Sequence, residues 1–495
     1  MKINNLFTTL LLMLLSIGVF AQNEKEPYVI LKDGTATFYY KDSKPEEALP
    51  LQKVYSEWPS DVRESVNVVV FDESFINIHP TRCDYWLYGL HNLTKIIGMK
   101  DYLNTDNVTN MSSMFSGCSS LTTIDVSKFS TNNVEEMSSM FNGCSGLTQL
   151  DVSHFNTENV ITMRYMFQGC SSLTNIDLSN FNTMNVTDMR YMFRGCSGLS
   201  SLDLSNFNTT NVIDMMAMFW DCSGLISLNI SNFNTEKVTN MGYLFTGCNN
   251  LTTLDVSGFK TDNVQFMNMM FANCSKLTTL NVSNFNTKNV TEMEYMFDDC
   301  SGLTTIDVTK FNTGKVTYMY NMFQGCSSLV SLDLTGFNTN KVEHLSDMFA
   351  GCSGLESIYV NDGWSLPSLG GSFKGNVFKG CDKLRGGEGT TYDESHTDAD
   401  YAHIDGGPEN PGYFTLKAPT PVATISVTQS GIKVWASNST IFIESAVDAK
   451  YSIYDLNGRV ITTSTTKSTK EEIHINKQGV YVVLVNGESF KVAIQ

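Results

Sequence analysis

Apolar positions recur along the middle of this chain with a fixed step. The ten cysteines from Cys118 to Cys352 stand 26 residues apart, and the phenylalanines from Phe115 to Phe349 keep the same interval without an insertion. Within one rung, Leu121 to Ser127 alternates, with Ile124 and Val126 apolar and Thr123, Asp125 and Ser127 polar. That is the pattern of a strand with one buried side. A turn follows through Phe129. Val134, Met137, Met140 and Phe141 then fall at the spacing of one face of a short helix, which Gly143 ends. At three rungs Asp221, Asn273 and Asp299 replace that glycine. These residue types tolerate a left-handed backbone, so the position reads as a helix C-terminal stop. A rung of strand, turn and short helix cannot bury its apolar face alone, but stacked rungs share one continuous core. At about 4.8 Å per stacked strand, the ten rungs would span roughly 45–50 Å.

The two ends differ from the ladder. Lys2, the apolar run Leu6 to Phe20 and the small-residue site at Ala21 make residues 1–21 a secretory signal peptide cleaved near Ala21. No later stretch approaches the ~20 apolar residues of a spanning helix, so the mature chain is expected to carry no transmembrane segment. Residues 22–86 read as a β-rich N-terminal cap, with Tyr28 to Tyr40 as a hairpin. The ladder occupies 87–384, a cap 385–416 and a Pro-rich linker 417–422. Residues 423–495 contain neither cysteine nor methionine. Their short β-type runs, with Asn457-Gly458 and Asn486-Gly487 between them, predict a small β-sandwich. The expected fold class is an α/β repeat solenoid followed by that sandwich.

Composition narrows the function. Hydrophobic residues make up 42% of 495, which excludes global disorder. A net charge of −18 disfavours nucleic acid, whose phosphates need a basic face, so nucleic acid is not an expected partner. The twelve cysteines read as a column of buried thiols, with disulfides between adjacent rungs as the alternative. No CxxC pair supports a metal site. His396, Asp398, Asp400, His403 and Asp405 lie in a turn-rich segment that attracts such residues anyway. No nucleophile elbow, zinc-protease, P-loop or dinucleotide motif occurs, so neither catalysis nor a cofactor is expected.

Two columns remain as candidate binding surfaces. Asp125, Asp151, Asp177, Asp203, Asp255, Asp307 and Asp333 occupy the outward strand position, with Asn229 and Asn281 at two rungs. Stacked carboxylates repel unless compensated. Cations along the column would do this, as would hydrogen bonds to the flanking Ser and Thr, which is the preferred reading. Tyr165, Tyr191, Tyr243 and Tyr295 share one position on the exposed helix face, with Trp220 near, and such residues suit recognition.

The segment Leu121-Thr-Thr-Ile124-Asp-Val126-Ser-Lys-Phe129, with Met137, Met140, Phe141 and Gly143-Cys144-Ser145 after it, resembles the 26-residue repeat of the BspA-like leucine-rich-repeat surface proteins. Arg385 to Gly389 and Tyr401 to Phe414 are similar to that family's C-terminal cap. The tail, through Tyr451-Ser-Ile-Tyr454, Gly458, Gly479, Tyr481 and Lys491, resembles the C-terminal sorting domain of type IX secretion cargo in Bacteroidota. The resemblances imply an exported protein at the outer-membrane cell surface, delivered by the type IX machinery. Adhesin-like binding of a protein or glycan ligand on host or neighbouring cells is the expected role. A structural spacer and a glycan-binding module are the alternatives.

Overall fold

The computed structural model describes residues 25–51, 58–417, 432–437, 439–455 and 459–494. The expected signal peptide, most of the linker and Gly458 lie outside these residues. Two compact units divide at Leu416 and Lys417.

The first unit opens on a five-stranded sheet. β1 (Glu26–Lys32) and β2 (Thr35–Lys41) form the expected hairpin, turning at Asp33 and Gly34, both with positive φ. β3 (Leu49–Pro50) pairs with β1 on the outer edge. On the other edge β4 (Val68–Phe71) and then β5 (Lys95–Ile97) add in parallel, which sets the direction of the stack that follows. Among the described residues α-helices are few: α1 (Ser60–Ser65) precedes the ladder and α2 (Met99–Tyr102) falls near its start.

The repeats stack as sheet and turn, and the expected rung helix does not form. Its place is taken by tandem turns. In one rung Met166, Gln168 and Cys170 donate their amides to the carbonyls of Met163, Tyr165 and Phe167, closing successive turns. The intervening amides of Met163, Tyr165, Phe167 and Gly169 point along the stack to the carbonyls of Asp188, Arg190, Met192 and Arg194 in the next rung. Parallel bridges run from Asn110 through Glu136 and Thr162 to His344 at the same 26-residue step, after a first step of 28 from Arg82. A helix is excluded because residues at the Tyr165 position, from Ser113 to Asp347, hold φ of +56° to +61°. The left-handed residue at this position, with a second at the Gly169 position, redirects every second amide outward, where an α-helix would turn it back on itself.

The strand is also narrower than expected. β6 (Ser201–Asp203) pairs with β7 (Ser227–Asn229), and β8 (Ser331–Asp333) with β9 (Ser357–Val360). Thr253–Asp255, Thr279–Asn281 and Thr305–Asp307 exchange no backbone bond with their neighbours among the described residues. The regular spacing of about 4.8 Å therefore belongs to the turn side of the stack.

One core runs the length of this unit. Phe115 and its equivalents to Phe378 stack face to face, with centroids 5.4–6.0 Å apart. All twelve cysteines are free and buried. From Cys144 onward each thiol donates to the carbonyl of a phenylalanine in the preceding rung at 3.0–3.2 Å. A thiol engaged in this way has its side-chain direction fixed, and no like thiol is within bonding geometry. The ladder ends where β10 (Phe414–Leu416) pairs in parallel with β9. In the cap, Asp405 is buried and accepts the amides of Glu388, Thr390 and Gly407 and the Thr390 hydroxyl. Asp400 bonds Lys374, and Asp398 caps a short 3-10 turn.

The second unit is a two-sheet sandwich around its own core. β11 (Lys433–Ser437), β12 (Thr440–Glu444) and β15 (Lys470–His474) form one sheet. β14 (Val460–Thr465), β13 (Lys450–Asp455), β16 (Gly479–Val485) and β17 (Glu488–Ile494) form the other. Asn486 and Gly487, both at positive φ, make the expected hairpin turn between β16 and β17.

Candidate functional site

The aspartate column lies where the alternation places it, exposed along the strand side except for half-buried Asp333. Asp125 Oδ1 accepts both the amide of Ser127, at 3.2 Å, and its hydroxyl, at 2.6 Å. Asp151, Asp255, Asp307 and Asp333 repeat the motif with Ser153, Ser257, Thr309 and Thr335. Asp177 and Asp203 accept the Ser179 and Ser205 amides. These bonds from Ser127, Ser153 and Ser257 hold the Asp125, Asp151 and Asp255 carboxyls below the usual carboxylate range. Asn281 makes the same pair of bonds with Ser283. A neutral amide that substitutes without change marks the position as a turn former, so the local bonds compensate the charge.

Between these aspartates the strand side opens into a shallow trough of about 500 Å³. Leu228, Leu254, Leu280 and Ile306 form its floor; Thr253, Thr279, Thr305, Asp255, Asn281 and Asp307 form its polar edges. It lies over three rungs that lack backbone pairing on this side and reaches Leu228 of β7.

The tyrosines occupy the left-handed turn position, half-buried. The expected helix face is replaced by an aromatic and charged strip on the turn side. Tyr165 stacks on Tyr191 at 4.7 Å, Trp220 tilts on Tyr243 at 5.1 Å, and Tyr295 meets Tyr320 edge-on at 5.1 Å. Arg164 covers Tyr165 at 4.6 Å and Arg194 covers Trp220 at 3.9 Å. Arg190 is bound to Asp188, with Asp214 beside it at 3.7 Å. Further along, Glu294 and Asp298 are each only 9% exposed. Burial pushes both carboxyls up, that of Asp298 to about 7 with Asp299 adding to the effect.

One column escaped the sequence reading. Thr131 and its equivalents from Thr105 to Thr339 are buried. Thr157 donates to the Asn182 carbonyl at 2.9 Å and accepts the Asn182 amide at 2.8 Å, tying each rung to the next. The recurring Phe-x-Thr was its visible sign.

In the sandwich, Gly479 and Tyr481 border a recess of about 500 Å³ together with Asp455, Arg459 and Lys477. The Tyr481 hydroxyl donates to the Lys477 carbonyl at 2.7 Å. Lys491 lies on β17 opposite Val482, away from that recess's lining. No helix among the described residues is long and apolar enough to cross a membrane.

No curated protein matches the chain. The solved structure of a TLR13–ssRNA13 complex aligns at 14% identity and a TM-score of 0.24, over 66% of this chain and about half (51%) of that one. A likeness this slight bears on neither fold nor ligand. Residues 421–494 match a domain of unknown function, DUF6383. Residues 88–201, 196–281 and 252–364 match the family described as "Mycoplasma protein of unknown function, DUF285". With more than half of its length covered by that repeat model, the chain belongs to the DUF285 family.

Proposed function

We propose that this is an exported, non-enzymatic surface protein that binds a macromolecular ligand, protein or glycan, along its repeated strand side. The observation that carries the reading is the trough across rungs 253–307, where near-identical Thr, Leu and Asp or Asn sets recur with no deep enclosure. Repetition of shallow equivalent sites suits an extended partner bound by many weak contacts, whereas a small molecule requires a concave, convergent pocket. The apolar floor between hydroxyl-bearing edges favours a glycan as the second reading.

The test immobilises matrix proteins and polysaccharides and measures binding of the full chain and of Thr253→Lys/Thr279→Lys/Thr305→Lys. Loss of a saturable interaction in the triple variant supports the reading. A ligand bound equally by both chains, or none from either panel, removes it and leaves the spacer. Export rests on residues 1–21 and on the tail's resemblance to a sorting domain. Deleting Val422 to Gln495 should then retain the repeat unit in the periplasm, and wild-type amounts at the surface would refute the sorting role.

A further inference from the structure

The aromatic strip on the turn side has two ends of different character. Segments 161–169 and 187–195 carry Arg164, Arg190 and Arg194 and a single acid, Asp188. There the chain supplies cations to its own rings, Arg164 over Tyr165 at 4.6 Å and Arg194 over Trp220 at 3.9 Å. The equivalent segments 291–299, 317–325 and 343–351 contain no Lys or Arg and six acids: Glu292, Glu294, Asp298, Asp299, Glu343 and Asp347. The rings persist. Tyr318 lies 6.3 Å from Tyr320, Tyr320 stacks on His344 at 4.3 Å, and His344 lies 4.5 Å from Phe373. Among the described residues no Lys or Arg covers Tyr318, Tyr320 or Phe373.

The ladder fixes the order of these groups. Glu292, Tyr318 and His344 are successive partners in the parallel bridges, and the Leu345 amide donates to the Phe373 carbonyl in the rung after them. Tyr318 is 42% exposed and Phe373 47%. Lys374, beside Phe373 in sequence, is bonded to Asp400. Negative charge reaches the rings: burial first, then Glu294, with Glu292 adding, pushes the Tyr320 hydroxyl up to about 12. Exposed aromatic rings gathered on one face mark a contact site.

We propose that this face is a docking site for arginine side chains of a partner protein, whose guanidinium groups stack on Tyr318 and Phe373 in the field of Glu292, Glu343 and Asp347. The face of an aromatic ring attracts a cation within about 6 Å of its centroid. Arginine, planar and weakly hydrated, stacks there more readily than lysine. The pairs at Tyr165 and Trp220 are the contact the chain makes for itself where an arginine is at hand. At the far end of the same strip the rings are kept and the cations are replaced by acids, so the charge that complements the face comes from outside the chain. A neutral sugar could also stack on these rings, but it would gain nothing from the acids around them.

Calorimetric titration of the full chain at about 50 mM salt tests this. The probes are the peptide acetyl-Gly-Arg-Gly-Arg-Gly-amide and its citrulline counterpart, which keeps the planar group and loses the charge. The arginine peptide should bind, and bind equally well to Tyr318→Phe, which keeps the ring. Tyr318→Leu/Phe373→Leu keeps apolar bulk without the π faces and should weaken binding at least about fivefold. Both rings are exposed, so this variant should melt as the wild type does. Glu292→Gln should weaken binding about twofold, and the citrulline peptide should not bind. Equal affinity of the arginine peptide for wild type and the double Leu variant would reduce the effect to the net charge of the chain and overturn the proposal. Equal binding of the citrulline peptide, which would make the face a neutral stacking platform, or no binding of either peptide, would overturn it too. None of these outcomes touches the strand-side binding reading.

Discussion

Replacing Thr157 by Val removes a hydroxyl and almost nothing else. Thr157 is fully buried, and its hydroxyl both donates to the carbonyl and accepts the amide of Asn182 in the next rung. Losing it strands two backbone groups at a rung boundary. An unsatisfied buried group costs about 1–3 kcal/mol; the lower end applies here because Asn182 is an exposed residue. Two groups at about 1 kcal/mol each give roughly 2 kcal/mol, and the extra methyl of Val returns about 0.8 kcal/mol. The expected net loss is about 1–1.5 kcal/mol. Thr157→Ser forfeits a methyl, also about 0.8 kcal/mol, so melting alone separates the two poorly. Amide exchange does so cleanly: the Asn182 amide should stay protected in Thr157→Ser and exchange openly in Thr157→Val. Continued protection in the Val variant would refute the role given to the hydroxyl.

Other consequences are simpler to measure. Gly195 has φ of +70° and ample room for a Cβ, with its nearest neighbour 3.6 Å away, so any penalty is conformational. Gly195→Val should lower stability by more than about 1 kcal/mol and Gly195→Asn by much less; equal melting shifts would remove the left-handed argument. Alkylation without prior reduction should label all twelve cysteines after denaturation and almost none before it. Asp298, raised to about 7 when folded, favours the folded state below the unfolded carboxyl range near 4 and loses that contribution as pH climbs through 7. In dilute solution Asp298→Asn should therefore raise the melting temperature at pH 8 and leave it nearly unchanged at pH 4.

The period, the core-facing side chains and the left-handed backbone at Gly143 and Asp221 were all legible in the sequence, because each repeats at a fixed register. The helix was not distinguishable from what replaced it. Val134, Met137, Met140 and Phe141 are three or four apart, and tandem turns closed by i to i−3 bonds bury the same spacing as a helix. The deciding residue, at the Tyr165 position, is Ser, Tyr, Ala, Met, Asn or Asp in different rungs, and only the last two types advertise positive φ. Ladder bonding, not local preference, holds Tyr and Met there at a cost of about 1–2 kcal/mol each. The aspartate column was read correctly as hydrogen-bonded to Ser and Thr because its partners are two residues away. The buried threonines bond 25 residues ahead, beyond any local pattern.

An unbroken 26-residue register also has a meaning for inheritance. Every boundary between rungs offers the same phenylalanine, thiol and threonine contacts, so a block of 26 codons can be lost or duplicated by unequal crossing-over without creating a new junction to solve. The length of the ladder is thereby free to drift while its interior is held constant. What such an event alters is the exterior, where the residues between the recurring core positions differ from rung to rung. A change of one rung would therefore reset the spacing of exterior side chains while leaving every core contact as it was.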